Sequence, residues 1–327
     1  MLVYGVLFLV IAALLICAYC FRTCFYAPKN RQEDPYALLD GKCYEDLSDG
    51  IFYCTRRMEE APCEFVEIRS YDEKILSGRY YHHADGAPVM ILFHGYRSMA
   101  LRDCAGGYIL GKKAGFNVLA VDQRAHGRSG GRVITFGIRE RKDCLSWIQY
   151  INERFSSNTP IVISGLSMGA ATVLMAADLD LPNNVACIMA DCPYSSPAGI
   201  IRKVAEDMKY PSALAMPFIR LCAWLFGGFH LDECSAEESV RSAKIPILIM
   251  HGESDDFVPC EMSRQIANNA GDRCQLHTFP GAGHGLCYTS DPQRYERLAI
   301  TFLNDQPSIK NHLQNNDYAQ KVLQGNL

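Results

Sequence analysis

The chain has 327 residues, 49% hydrophobic, 21% charged and 10% aromatic. This is ordinary globular composition, and one α/β domain can absorb most of that length. A net charge of −4, with no basic stripe and no aromatic–basic interleaving, argues against a nucleic-acid partner.

The run Met1 to Phe21, MLVYGVLFLVIAALLICAYCF, carries no charged side chain. It is long enough to cross a bilayer as one helix. A removable signal peptide needs Lys or Arg before its apolar core and a small-x-small exit, and neither is present. The expectation is a transmembrane anchor over 1–22, single-pass in the cell membrane. Arg22, Lys29 and Arg31 all follow the run, so the positive-inside rule places the domain behind it in the cytoplasm. Fifteen cysteines are scattered rather than clustered, several in apolar surroundings such as Cys144, Cys187 and Cys222. They read as reduced, space-filling thiols, which suits that compartment.

Residues 23–60 are mixed and polar and read as a tether with some helix. Strand-like runs follow: EFVEIRS, KILSGRYYHH and PVMILFHG, the last nearly all apolar and so a buried central strand. GYILGKKAGF has helical spacing, NVLAVD is a short buried strand, and RERKDCLSWIQYINERF is an amphipathic helix. IVISG then leads into the helix MGAATVLMAADL, and VACIMADC is the next strand. A helical insertion over about 196–243 precedes the strand IPILIMHG, the helix SRQIANNA and the strand QLHTFPG. DPQRYERLAITFLND closes the domain, taken as 61–305, and leaves 306–327 as a tail. Strands alternating with helices predict a mostly parallel sheet covered on both faces.

In such a sheet, chemistry collects at the carboxyl ends of the strands. Ser167 ends one of them inside GLSMG, between a buried strand and a helix. Gly165 and Gly169 remove Cβ atoms where a sharp turn crowds the chain, and the turn pushes the hydroxyl above the sheet. A serine nucleophile needs a base. Of nine histidines, His94 and His251 close strands in HG pairs and read as loop-shaping, and His126 in DQRAHGRSGG reads as structural. His284 in FPGAGHG follows the last strand and is taken as the base. The acid comes from HGESDDFVP, where Asp255 is favoured, with Asp256, Glu253 and the more distant Asp191 left open. The backbone N–H groups of Tyr96, in LFHGYRS, and Met168 are expected to hold an oxyanion.

Together HGY, VDQRAHGRSGG, GLSMG, HGESDDFVP and GAGHG, in this order from about Pro62 to Asp305, resemble an α/β-hydrolase-fold serine hydrolase. The anchor followed by this domain is similar to membrane-tethered bacterial hydrolases. The resemblance implies a sheet of about eight strands with a helical cap, Ser167 as nucleophile, Asp255 as acid and His284 as base. It also implies that the DQRAHGRSGG loop organises the site; there Ala125 replaces the family's usual glycine. A serine rather than an aspartate nucleophile argues against epoxide hydrolase or dehalogenase chemistry. No nucleotide loop or metal-ligand cluster is seen, so no cofactor and no metal is expected.

The expected activity is hydrolysis of a carboxylic ester or thioester, a small-molecule acyl substrate. A serine peptidase or acyltransferase on the same residues is the nearest alternative, and an inactive membrane-tethered binding protein a more distant one. The insertion holds YPSALAMPFIRLCAWLFGGF, apolar but for Arg220. As a cap over Ser167 it would line an apolar channel, with Phe218 and Trp224 as pocket residues; the alternative is simple packing on the main domain.

Overall fold

The computed structural model describes residues 2–28 and 34–326. Lys29 and Arg31, two of the three charges that set the expected orientation, lie outside the described residues. An apolar helix α1 (Leu2–Cys24) comes first, followed by α2 (Lys42–Asp46) and α3 (Ser48–Glu59). The strands are β1 (Glu64–Arg69), β2 (Ile75–Tyr81), β3 (Val89–Phe93), β4 (Asn117–Val121), β5 (Ile161–Leu166), β6 (Val185–Asp191), β7 (Ile247–Gly252) and β8 (Cys274–Phe279). Between them run α4 (Ala100–Asp103), α5 (Ala105–Lys113), α6 (Glu140–Arg154) and α7 (Met168–Met175). The insertion contributes α8 (Pro197–Asp207), α9 (Ser212–Gly227) and α10 (Ala236–Ser239), and α11 (Cys260–Ala270) follows β7. The chain ends with α12 (Cys287–Ser290), α13 (Pro292–Asn304), α14 (Pro307–Gln314) and α15 (Asp317–Leu323).

The eight strands form one sheet in the order β1-β2-β4-β3-β5-β6-β7-β8. β1 pairs β2, and β2 pairs β4, antiparallel; every other pairing is parallel. The mostly parallel sheet is what the alternation of elements predicts, and its strand order is that of the α/β-hydrolase fold the motif resemblance implies. VMILF in β3 and NVLAV in β4 are buried at every position, because helices cover both faces of the parallel centre. The edge strand β1 is mostly exposed, and its polar positions are the ones EFVEIR supplies. One core layer gathers Trp147, Ile163, Leu174 and Met216. The opposite layer gathers Met58, Met90, Phe116 and Leu313.

Three sequence expectations change here. The tether contains α3, which buries Thr55 and places Cys54 and Met58 in the second core layer. The tail forms α14 and α15, burying Ile309, Leu313, Ala319 and Val322 in the same layer. Both segments are polar overall, but a few apolar side chains one turn apart suffice to dock a short helix. The insertion is helical as expected, yet α9 lies beside α1, where the Cys17 thiol meets the Phe218 carbonyl and Phe21 packs on Phe226. Phe218 is half-buried in that contact and Trp224 is 54% exposed.

If α3 belongs to the folded unit, Met58→Ala opens a cavity in a fully buried site. It should lower the unfolding free energy by about 2–5 kcal/mol in urea titrations. A loose tether would register no change.

Candidate active site

Ser167 sits at the join of β5 and α7 with φ 56° and ψ −114°, a conformation L-residues rarely adopt. The fold enforces it through backbone crossings that leave no room for side chains. A Cβ on Gly165 would stand 2.3 Å from the Gly169 carbonyl carbon, and one on Gly169 would stand 2.1 Å from the Phe93 carbonyl oxygen. The Ser167 N–H is held by the Asp191 carbonyl at 2.9 Å. With its backbone fixed on both sides, the hydroxyl projects from the carboxyl edge of the sheet.

Loops from β7 and β8 meet it there. His284 Nε2 lies 2.9 Å from Ser167 Oγ, and its Nδ1 lies 2.7 Å from Asp255 Oδ2. Asp255 Oδ1 accepts from the backbone N–H groups of Phe257, at 3.0 Å, and Val258, at 2.7 Å. His251 Nε2 stands 3.2 Å from Oδ2. Burial alone would push this carboxyl up; the hydrogen bonds from His251, His284 and Val258 outweigh it and hold it at about 2. Asp255 is therefore a charged acceptor that fixes the proton of His284 on Nδ1 and leaves Nε2 free to accept from the serine.

The rival acids are placed elsewhere. Asp256 turns its backbone carbonyl to the Lys203 ammonium. Glu253 accepts from the Thr278 hydroxyl at 2.6 Å. Asp191 is buried beneath Ser167, with Cys287 and Tyr295 bonded to its carboxyl and Oδ1 left without a partner. Burial raises it to about 6 against an ordinary 3.8, only partly offset by the Cys287 hydrogen bond, the neighbouring imidazoles of His251 and His284, and the Tyr295 hydrogen bond.

The loop after β3 supplies the second wall. Gly95 abuts Ser167, since a Cβ there would come 3.4 Å from Ser167 Cβ, and its N–H is held by Asp103 Oδ2 at 2.8 Å. Tyr96 follows, so its backbone belongs to the turn beside Ser167. Met168 is the first residue of α7, where no carbonyl of the same helix can satisfy its N–H. His94 and His126 lock this loop to the one after β4. Each His Nε2 accepts a backbone N–H, from Gln123 at 3.0 Å and Arg97 at 2.9 Å respectively. Their Nδ1 atoms donate to the carbonyls of Gly95 and Arg124. Both ring nitrogens of His126 are thus engaged in joining the two loops. Ala125, where the resemblance places a glycine, has φ 63°, a conformation that glycine adopts without strain. Arg124 anchors the same loop through a bidentate pair with Asp143, both contacts 2.6 Å.

Sequence reasoning missed two features. The Tyr96 hydroxyl donates to the Cys24 carbonyl at 2.8 Å, and Arg97 reaches the Thr23 and Tyr26 carbonyls at 2.7 and 3.2 Å. The loop beside Ser167 thereby caps the carboxyl end of α1. The second feature is the roof. A cavity of about 650 Å³ reaches Ser167 and His284 and is lined by Leu38, Leu39, Tyr44 and Ile51 from the segment read as tether. Tyr44 closes it by donating to the His284 carbonyl at 2.8 Å. Phe218 and Trp224 do not line this cavity, which corrects their reading as pocket residues: α9 is drawn aside by its contact with α1. Cys192, Asp255 and His284 hold three donor atoms within 4.8 Å, but burial keeps the Cys192 thiol well above its ordinary value and Asp255 is already bonded to His284. The group suits proton transfer better than metal ligation.

The raised Asp191 value carries a consequence for stability. The native state binds this proton more tightly than the unfolded chain, so its contribution is full below about pH 4 and is lost as pH rises to about 6. Asp191→Asn should gain on the wild type by up to ~3 kcal/mol between pH 4 and pH 7, read from paired denaturation curves. A constant difference across that window would show that Asp191 titrates normally.

Residues 90–298 match the alpha/beta hydrolase family. Similar proteins include YqkD of Bacillus subtilis, 24% identical over 80% of this chain and 84% of its own length. The lysophosphatidylserine lipase ABHD12 of Xenopus tropicalis is 23% identical over 72% of this chain and 58% of its own. The bifunctional esterase/perhydrolase DCH of Acinetobacter calcoaceticus is 24% identical over 66% and 92%. An esterase structure from Pyrococcus furiosus superposes with a TM-score of 0.61 at 22% identity, covering 85% of this chain and 99% of that one. From the fold, and from a family match spanning more than half its length, the chain belongs to the alpha/beta hydrolase family.

Proposed function

We propose that this protein is a membrane-anchored serine hydrolase that cleaves a carboxylic ester or thioester through an acyl-serine. The carrying observation is the unbroken line of hydrogen bonds from Asp255 through His284 to Ser167. In this reading Ser167 Oγ attacks the acyl carbon while His284 Nε2 takes its proton. The charged Asp255 stabilises the imidazolium without accepting the proton itself. The Tyr96 and Met168 N–H groups hold the oxyanion. His284 then returns the proton to the departing alcohol or thiol, and repeats both steps with water to free the acid. The predominantly apolar cavity favours an acyl substituent, and relatives named as an esterase and a lipase support ester chemistry.

The apolar helix α1, 23 residues long, would hold the enzyme at the cell membrane with the domain on the cytoplasmic side. The catalytic unit in this proposal extends beyond 61–305 to include α2, α3, α14 and α15.

A fluorophosphonate probe should label the folded protein at Ser167, and Ser167→Ala should abolish labelling. Asp255→Asn should lower kcat on a short-chain ester by about 10³–10⁴-fold, since the amide cannot hold the His284 tautomer. Asp256→Asn should change it little. Equal losses from the two substitutions would remove Asp255 from the proposed role, and an unlabelled Ser167 would defeat the serine hydrolase reading altogether.

A further inference from the structure

Helices α1 and α9 lie side by side and run in the same direction. Cys17 meets the Phe218 carbonyl, and one turn further along α1, about two turns further along α9, the rings of Phe21 and Phe226 pack 5.7 Å apart. The covered side of α1 is built mostly of small residues, Ala12, Ala13, Cys17 and Cys20, which let the helices approach closely. Leu2 to Ile11 are exposed all round, and beyond them Leu14, Leu15, Ile16 and Tyr19 still face outward.

The pattern of α9 is the reverse of what a water-facing helix shows. Met216, Ile219, Cys222 and Ala223 are buried. Yet Leu214, Pro217, Leu221, Trp224 and Leu225 recur at helical spacing on the outside, with Leu214 68% exposed. Arg220, the one charged residue in the helix, is paired with Asp232 at 2.7 Å. The exposed stripe adjoins the α1-facing positions Phe218, Cys222 and Phe226, about 100° around the helix, so it continues the bare surface of α1. An apolar strip of this length on a helix is stable only when something covers it.

The length of α1 says what does. Its free portion, Leu2 to Ile11, rises about 15 Å, half of a ~30 Å hydrocarbon core. The remaining apolar turns of α1 are the ones α9 accompanies, at a packing distance of about 8–10 Å. Lipid that covers Leu14, Leu15 and Ile16 is therefore within reach of the α9 stripe. Because the two helices run in the same direction, the Trp224 end of α9 lies toward the Phe21 end of α1, where α1 joins the folded domain, and this sets a shallow depth for Trp224.

We infer that α9 is a second lipid-contacting element, whose outward stripe rests in the upper acyl region of the bilayer that takes α1. The inference rests on the proposed anchoring by α1. The chain has two tryptophans, Trp147 fully buried in the core and Trp224 on the stripe, so fluorescence reports on the face directly. Full-length protein would be placed in phosphatidylcholine vesicles, and the signal of Trp224 taken as wild type minus Trp224→Phe. In vesicles, Trp224 emission should shift to shorter wavelength, resist aqueous iodide, and lose most of its intensity to lipids brominated on the upper acyl carbons. Vesicle-bound protein whose Trp224 is quenched by iodide and untouched by brominated lipid would overturn the inference while leaving the anchor intact. Stronger quenching by bromine near the bilayer centre would overturn the shallow placement. Protection from both quenchers, with cross-linked dimers, would assign the stripe to a second copy instead. Failure to enter vesicles at all would defeat the anchoring proposal, and this one with it.

Discussion

The structure hangs on one crossing of backbones, where the chain leaving β5 turns back over the end of β3. Phe93, Gly165 and Gly169 approach so closely there that no side chain fits between them. Ser167 bears the consequence in a sparsely populated backbone conformation that costs about 1–3 kcal/mol. Such strain persists only where the surroundings over-determine the backbone. Here the parallel pairing of β5 with both β3 and β6, and the Asp191 carbonyl on the Ser167 N–H, do so. The hydroxyl is consequently fixed before any partner reaches it.

Everything else at the site arrives as a loop at the carboxyl end of a neighbouring strand. The β3 and β4 loops are stitched by two histidines of the same neutral tautomer, each donating through Nδ1 and accepting through Nε2. Full burial of His94 lowers its proton affinity and keeps that ring neutral, which the pattern of one donor and one acceptor requires. The β3 loop carries a further load: Tyr96 and Arg97 grip the last carbonyls of α1. Tyr96 also stacks on Phe136, which packs on Phe25, so the end of α1 is coupled to the turn beside Ser167 by side chains from both segments.

Much of this is legible in the sequence because the signals are local. GLSMG states a strand, a turn and a helix within a few residues, and each buried strand reads directly from runs such as VMILF. Ser167, His284 and Asp255 come from loops that follow recognisable strands, so chain order carries them. What escapes is partner choice. The apolar content of α9 says that it seeks cover, and nothing in its own residues says that α1 will provide part of it. Leu38, Leu39 and Tyr44 sit in a polar stretch with no periodicity, so their place above Ser167 depends on contacts some 240 residues away, as between Tyr44 and His284. The C-terminal helices escape for the same reason: two buried apolar residues per helix make a weak period but a sufficient contact.

The choice between Asp191 and Asp255 shows where local signal ends and geometry decides. Both end or follow buried strands, both are buried, and burial pushes both carboxyls up. They part because of the donors each receives. Asp255 lies in a loop tight enough to aim the Phe257 and Val258 N–H groups at one oxygen and two imidazoles at the other. Asp191, at the end of β6, commits its backbone to Ser167 and leaves one carboxyl oxygen unsatisfied. An acceptor for His284 must stay ionised while buried, and only the site with enough donors can keep it so. The turn ESDDFVP, with Pro259 ending it ahead of α11, is what concentrates those donors on Asp255 rather than on its neighbour.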